Sequence, residues 1–304
     1  MTSHDLGATE ATEATEATEL FEAERPHLRR VAYRMLGSLA EADDVLQDAW
    51  IRFSRADTSD VENVRGWLTT VVARLCLDAL RRRKARAEDP VGFQLPEPIL
   101  SSAHGMDPEQ EALLADSVGL ALMIVLDTLT PPERLAFVLH DVFAVPFDEI
   151  APIVDRSPEA TRQLASRARR RVQGSSIDTD SDLRAQWKVV DAFVAASRDG
   201  DFDALLGILD PEVRARADFG RIPLVNGGAA RGPQEVAQQA LSFRSLAGNA
   251  RRALVNGLPG AVAYAGGKPF AVVAFTIRTG RIVEIDILGD PDRLMQLDLS
   301  VLED

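Results

Sequence analysis

Apolar positions recur at helical spacing through the first 172 residues and alternate only near the C-terminal end of the chain. Residues 8–19 are four copies of Ala-Thr-Glu. The repeat has no apolar residue larger than alanine to bury, and residues 1–19 read as a disordered or loosely helical tail. From Leu20 the pattern turns helical, with Leu28, Val31, Ala32, Met35 and Leu36 at three-to-four spacing until Gly37-Ser38 interrupts it. Glu41–Phe53 is the next predicted helix. Val45, Leu46, Ala49, Trp50 and Phe53 form its apolar stripe, and Glu41, Asp44 and Asp48 line another face. The polar stretch 56–64 predicts a loop. Arg65–Arg83 resumes the period through Leu68, Val71, Val72, Leu75 and Ala79. It ends on Arg81-Arg82-Arg83-Lys84, cations that suit the negative end of a helix dipole.

Residues 87–108 hold four prolines and two glycines and read as a linker, within which 93–98 is apolar enough to dock. Glu109–Leu129, Pro132–Phe143 and the short Phe147–Val154 are predicted helices. Ser157 then offers an N-cap, Pro158 a first helical residue and Glu159 a first-turn acid, which predicts a helix running to about Val172. Residues 174–182 form a second linker. After it, Leu183–Arg198 and Phe202–Leu209 are helical. Ala261–Tyr264, Phe270–Arg278 and Arg281–Leu288 then read as strands, the last two joined by a Thr279-Gly280 hairpin turn. The expected organisation is two all-α blocks, 20–86 and 109–173, followed by an α+β domain over 183–304.

The net charge of −13 argues against nucleic acid until it is mapped. Residues 65–86 carry seven basic groups and one acidic, and residues 155–174 carry six and two, in an otherwise acidic chain. Phosphate attraction is screened beyond about 8–10 Å, so local blocks outweigh the total. The longest strictly apolar run, 118–126, falls short of the ~20 residues of a bilayer span. No secretory signal is legible, and a cytoplasmic protein is expected. The single cysteine, Cys76, excludes an internal disulfide and a multi-cysteine zinc site, and reads as core.

The short helix 147–154, the turn 155–157 and the basic helix 158–172 form a helix-turn-helix pattern. Thr161, Leu164, Ala165, Ala168 and Val172 fall on its inner side. Arg162, Gln163, Ser166, Arg167, Arg169 and Arg170 face outward, where Arg and Gln reach base edges bidentately and trailing arginines hold phosphates. The basic helix 65–83 differs, because its cations accompany Trp67 and the polar loop 57–63. That combination suits unstacked single-stranded bases. Taken alone, either block is equally a solvated helix face.

The segment Glu41-Ala42-Asp43-Asp44-Val45-Leu46-Gln47-Asp48-Ala49-Trp50 resembles the acidic region 2 helix of RNA polymerase sigma factors. Arg65-Gly66-Trp67-Leu68 with Asp78-Ala79-Leu80-Arg81-Arg82-Arg83 resembles their promoter −10 helix, and 129–172 is similar to their region 4. The resemblance, over about 20–172, is to the compact extracytoplasmic-function group. Leu95-Pro96-Glu97-Pro98 and Gly289-Asp290-Pro291-Asp292-Arg293-Leu294 resemble signatures of its SigJ-like subgroup, and Arg281–Asp286 resembles the last strand of that subgroup's C-terminal domain. Two departures stand out. A Gly-rich signature is reduced to Asn226-Gly227-Gly228-Ala229-Ala230-Arg231, and Asp155 occupies a turn position that is often glycine. Asp tolerates the left-handed conformation that such a turn needs.

The resemblance implies a region 2 helical bundle, a region 4 helix-turn-helix and a C-terminal α+β SnoaL/NTF2-like cone. It implies an alternative sigma factor, with core RNA polymerase and promoter DNA as partners and no membrane, cofactor, metal or catalytic residue. The −35 element would be read by Arg162, Gln163, Ser166, Arg167 and Arg170. The −10 element would be read and melted by Asn63, Arg65, Trp67, Arg74, Arg81 and Arg82. Glu41, Asp44, Gln47 and Asp48 would dock on the polymerase. Leu95, Pro96, Glu97 and Pro98, together with Asp290, Pro291, Asp292, Arg293, Leu294 and the 226–231 loop, would mediate an intramolecular regulatory contact. A small-molecule ligand of the cone stays open. All four histidines lie outside 183–304; Asp218 and Asp286 are candidate buried carboxylates, though a lone Asp is more often a surface or capping group, and no nucleophile–base pair is visible from spacing there. The competing reading is a stand-alone helix-turn-helix regulator fused to a ligand-binding or enzymatic domain.

Overall fold

A computed structural model of the protein describes residues 3–56, 61–86, 94–103, 119–173, 182–220 and 229–302, with side chains from Ala17 onward. The chain forms two compact units, one from residues 1–88 and 126–170, the other from 89–125 and 171–304.

The first unit is helical. It contains α1 (Ser3–Leu36), α2 (Leu39–Phe53), α3 (Val64–Arg86), the last two residues of the helix α4 (Gly119–Asp127), α5 (Pro131–Phe137), α6 (Phe147–Val154) and most of α7 (Pro158–Gln173). The tail, read as disordered or loosely helical, is the start of α1, which is helical from Ser3. Alanine and glutamate are good helix formers, and the repeat only has to extend a helix already anchored by packing further along. That anchor is the buried row Phe21, Leu28, Val31, Met35 and Leu36. It packs with Ala42, Val45, Leu46, Ala49 and Phe53 of α2 and with Leu68, Val72, Leu75, Cys76 and Leu77 of α3. Burial pushes the Cys76 thiol well above its ordinary value, as expected of an inert core cysteine.

The helix expected over 132–143 changes character part-way. Beyond α5 the backbone widens into a π turn, Val138–Val142, in which the Phe143 amide donates to the Val138 carbonyl at 3.2 Å. Arg134 of α5 is fully buried. Its Nε and Nη2 donate to the Arg34 carbonyl at 3.1 and 3.0 Å, and its Nη1 meets Asp127. Arg34 lies in the last turn of α1, where carbonyls lack intrahelical donors. One guanidinium thus satisfies an orphan helix end and joins the two halves of the unit. Burial lowers its pKa, and the Asp127 carboxylate opposes that shift.

The second unit is α+β, as expected. Among the described residues its sheet has seven strands in the order β1-β4-β5-β6-β7-β2-β3, with β2 and β7 parallel and the other pairs antiparallel. The strands are β1 (Leu100–Ser102), β2 (Leu209–Asp218), β3 (Ala229–Arg231), β4 (Ala250–Val255), β5 (Leu258–Ala265), β6 (Lys268–Arg278) and β7 (Arg281–Leu288). The helices are α8 (Leu183–Asp199), α9 (Phe202–Ile208), α10 (Pro233–Ser242), α11 (Arg244–Ala247) and α12 (Pro291–Leu294). One core joins Val190, Phe193 and Ala196 of α8 to Val236 and Ala237 of α10 and to Val213, Phe275, Ile277, Ile282 and Ile285 of the sheet. Thr279 and Gly280 both take positive φ, as a two-residue type I′ hairpin requires.

The linker is more structured than its prolines suggested. Leu100, Ser101 and Ser102 form the edge strand β1, in antiparallel register with Val255, Leu254 and Ala253. Asn256 fastens its start: the Ile99 amide donates to Asn256 Oδ1 at 3.0 Å, and the Asn256 amide donates back to the Ile99 carbonyl at 2.8 Å. No described helix is long and apolar enough to cross a membrane.

Candidate nucleic-acid interface

The helix-turn-helix is built by α6, its turn and α7. Asp155 ends α6 in the left-handed conformation, at φ 55° and ψ 55°, which is the role expected of it. Ser157 caps α7, its Oγ accepting the Ala160 amide at 3.2 Å. Thr161, Ala165 and Ala168 are buried, so successive turns of α7 press one face inward. Arg162, Gln163, Arg167 and Arg170 are exposed and Ser166 is half-buried, which gathers all five predicted base readers on the opposite stripe. Leu164 and Val172, expected to be inside, are only half-buried.

These five are not equally free. The Arg162 guanidinium lies over the Phe147 ring, 5.3 Å from its centroid, and stays exposed. Arg170 Nη2 reaches Ser166 Oγ at 3.5 Å. Arg167 Nε donates to Glu133 Oε1 at 3.1 Å. Glu133 is itself buried and closes the capping box of α5, its Oε2 accepting the Thr130 amide and hydroxyl at 3.1 and 2.8 Å. Arg169, expected to face outward, is half-buried and paired with Asp141.

On α3, Asn63 is the N-cap, its Oδ1 accepting the Gly66 amide at 2.9 Å. Trp67 is half-buried, with its ring 5.9 Å from that of Phe53. Phe53 in turn meets Phe21 and Trp50, each at 6.2 Å. Arg74, Arg81 and Arg82 are exposed. At about 100° per residue, Trp67, Arg74 and Arg81 share one face, and Arg65 falls roughly opposite them. There it contacts His27 Nδ1 at 3.2 Å and Glu24 at 3.5 Å. The structure therefore separates Arg65 from the cations with which the sequence grouped it. Residues 57–60 of the adjoining loop lie outside the described residues.

Ser38 caps α2 through the Glu41 amide. Glu41 pairs with Arg83, and Asp43 takes a bidentate contact from Arg29 at 2.8 and 3.0 Å. Asp44, Gln47 and Asp48 are exposed. Asp44 and Asp48 border a groove of about 580 Å³ whose other wall carries Arg82 and Arg83.

In the second unit the predicted regulatory strips come together. The buried Asp218 ends β2, and its Oδ2 accepts the Leu95 amide at 2.9 Å and Arg293 Nη1 at 2.5 Å. Arg293 Nη2 donates to the Leu95 carbonyl at 2.5 Å. Asp290 caps α12 by accepting the Asp292 and Arg293 amides. Two glycines let the corner close. A Cβ on Gly220 would lie 2.3 Å from Asp290 Oδ2, and one on Gly289 would lie 2.2 Å from the Phe219 ring. Leu95, Pro96, Pro98 and Leu294 are buried and Glu97 is half-buried. Residues 226–228 lie outside the described residues.

Of the two readings open for Asp218 and Asp286, surface or capping group and buried carboxylate, the structure has the second, each paired with an arginine. Asp286 Oδ1 accepts Arg216 Nε at 2.9 Å, and Arg216 Nη2 reaches Glu284 at 3.1 Å. Neither aspartate borders the apolar cavity of about 110 Å³ enclosed by the sheet, α8, α10 and α11.

Comparison with known proteins fits this geometry. Residues 20–86 match the family model of Sigma-70 region 2, and residues 120–172 match that of Sigma-70, region 4. The ECF RNA polymerase sigma factor SigJ of Mycobacterium tuberculosis is 40% identical over 90% of this chain and 91% of its own. A probable ECF RNA polymerase sigma factor, SigI, of the same species is 34% identical over 90% and 93%. The crystal structure of SigJ superposes with a TM-score of 0.76 at 36% identity, covering 93% of this chain and 99% of that one. A capped recognition helix, an acidic α2 and a basic α3 thus occur in a chain related to these factors over nine-tenths of its length, and it belongs to the extracytoplasmic-function RNA polymerase sigma factors as an alternative sigma factor.

Proposed function

We propose that this factor directs core RNA polymerase to promoters in the cytoplasm, with each interface carried by the residues described above. Region 4 reads the −35 element through Arg162, Gln163, Ser166 and Arg167, with Arg170 on phosphate. Region 2 reads and melts the −10 element through Trp67, Arg74, Arg81 and Arg82, while Asn63 holds the start of the helix. Arg65 acts on a separate face, through backbone phosphate. Asp44, Gln47 and Asp48 dock on the polymerase, with Glu41 positioned by Arg83. The acidic remainder of the surface disfavours nonspecific DNA binding by the free factor. The observation that carries the reading is the exposed Arg162–Gln163–Arg167 stripe opposite a buried Thr161–Ala165–Ala168 seam.

The C-terminal domain modulates this activity in cis and without catalysis. In support, residues 95–102, which connect the two sigma regions in sequence, are fastened to that domain by Asp218, Arg293 and Asn256. The described cavity lining contains no acid, base or nucleophilic pair. Transcription reconstituted with purified core polymerase tests the whole reading. The full chain should initiate on its own promoters, and truncation at 174 should remove more activity than truncation before Asp290. Equal activity from all three forms would overturn regulation in cis. No polymerase-dependent initiation would overturn the promoter assignments.

A further inference from the structure

A strained reversal of the chain leads into the helix-turn-helix. The π turn Val138–Val142 widens the backbone, and Ala144 then takes the left-handed conformation at φ 56°, which is costly for a residue with a Cβ. Such a conformation persists where its surroundings over-determine it. Two hydrogen bonds close the reversal. The Val145 amide donates to the Leu139 carbonyl at 2.8 Å, and His140 Nδ1 donates to the Val145 carbonyl at 3.0 Å. The second bond also fixes the imidazole, because a carbonyl only accepts and Nδ1 must carry the proton.

The reversal lays the His140 imidazole on the Phe147 ring, with centroids 3.8 Å apart and planes inclined by 27°. At that distance the imidazole covers one face of the phenyl ring, which leaves the other face to the Arg162 guanidinium, 5.3 Å from the same centroid. His140 and Phe147 are half-buried and Arg162 is exposed, so the arginine is held from beneath while its outer side stays open. A cation over a ring is held through its flat face, and the donors of a guanidinium point along its plane. The stack therefore orients Arg162 without consuming a donor. Arg167 differs, because its Nε is already spent on Glu133. An arginine ordered before DNA arrives loses less side-chain freedom on binding.

We propose that Phe147 is the positioning residue of Arg162 and that His140 sets Phe147, so that discrimination at the base pair Arg162 meets depends on a stack built outside the recognition helix. The proposal rests on the reading of Arg162 as a −35 base reader and deepens it. The effect of both rings passes through the guanidinium, and it is an effect on sequence preference rather than on general affinity for DNA.

The test is run-off transcription by the full chain with core polymerase, on a promoter found by run-off from the chain's own genome and on templates altered one base pair at a time across its −35 element. The readout is a ratio, initiation on the native template over that on the altered one. Arg162→Ala should flatten the ratio at the base pair it reads. Phe147→Leu should lower the ratio there about two- to fivefold, the worth of an exposed cation–ring contact, and leave the ratios at other base pairs unchanged. Phe147→Tyr keeps the ring and should restore it. In the Arg162→Ala background, Phe147→Leu should change that ratio no further. His140→Asn keeps a donor for Val145 and removes the stacked ring; it should lower the same ratio, and it carries the test if Phe147→Leu does not fold. A merely structural role would lower initiation on every template alike and leave each ratio intact. If Arg162→Ala leaves every ratio unchanged, the −35 reading falls and the proposal with it. If Arg162→Ala flattens a ratio that Phe147→Leu and His140→Asn both preserve, or if their losses persist without Arg162, the positioning role alone is overturned.

Discussion

Arg167 reaches out of the recognition helix and is held at its Nε by Glu133, a carboxylate only 4% exposed that caps the start of α5. Arg162, five residues earlier on the exposed side of the same helix, lies over the Phe147 ring and pairs with no carboxylate among the described residues. The two arginines look alike in the sequence and differ in what their removal leaves behind.

Arg162→Ala should therefore act on promoter reading alone. A lost bidentate base contact costs about 1–3 kcal/mol. Initiation should fall roughly ten- to a hundredfold on the native −35 sequence and little on one already altered there, with the urea midpoint unchanged. Arg167→Ala should lower initiation and also destabilise the first unit by about 1–2 kcal/mol, because the buried Glu133 carboxylate loses its guanidinium. Transcription on paired promoters and denaturant titration separate the effects. Identical urea midpoints for the two variants would show that the Glu133 contact contributes nothing.

Asp44 and Asp48 stand one turn apart on α2, exposed, with the buried Val45, Leu46 and Ala49 turned away from them. Reversing both charges to lysine should weaken capture of core polymerase at least tenfold and leave the helix content intact, since exposed charges add little stability. Glu41→Lys should behave differently, because it also sets a cation against Arg83. A pull-down with unchanged polymerase would remove α2 from the docking surface.

The linker corner gives a third expectation. Arg293→Ala removes two donors, one to Asp218 and one to the Leu95 carbonyl, and leaves Asp218 buried with backbone donors only. Hydrogen bonds to charged groups are worth about 1.5–3 kcal/mol. The amides of Leu95 and Ile99 should then exchange with solvent about ten- to a hundredfold faster, while those of β6 and β7 keep their protection. Unchanged exchange at Leu95 would mean that the strip is held by its apolar contacts alone.

How much of this was legible depends on where side chains reported their surroundings. Phe147–Val154 and Arg281–Leu288 were read with the bounds that the structure has, because a strong period ran between clear punctuators, Pro146 and Asp155 in one case and Gly280 and Gly289 in the other. Strand β2 escaped because Val213, Ala215 and Ala217 are its inward residues, and alanine carries almost no alternation signal beside Arg214 and Arg216. Strand β4 begins Ala250-Arg251-Arg252 and hides the same way. Helix α10 starts at Pro233 after Gly232, a legible N-terminus, but its five-residue run Ala237–Leu241 holds two glutamines and only a narrow apolar stripe. The outward placement of Arg162, Gln163, Arg167 and Arg170 was legible because exposed Arg and Gln on an amphipathic helix announce themselves. Which arginines were already engaged was not legible, since Glu133 lies 34 positions from Arg167 and Asp218 lies 75 from Arg293.

Asp286 gives the last expectation, one of pH. It and Glu284 occupy alternate positions of β7, and both turn to the single guanidinium of Arg216 on the neighbouring β2. Burial pushes the Asp286 carboxyl up to about 7 from an ordinary 3.8, with Arg216 opposing the rise and Glu284 adding to it. Between those two values the folded chain keeps a proton that the unfolded chain has released. The contribution to stability is therefore complete below about pH 4 and is lost as pH rises through 7. Asp286→Asn removes this titration and keeps the side-chain shape. Relative to the variant, the native chain should lose about 1–3 kcal/mol between pH 5 and pH 8, each unit of raised pKa being worth about 1.4 kcal/mol. Unfolding of the second unit is followed at Trp187, with Trp50 and Trp67 replaced by phenylalanine so that the signal comes from that unit. A difference between native chain and variant that is the same at both pH values would mean that Arg216 keeps Asp286 ionised throughout, and that the buried pair rather than a proton holds β7 to β2.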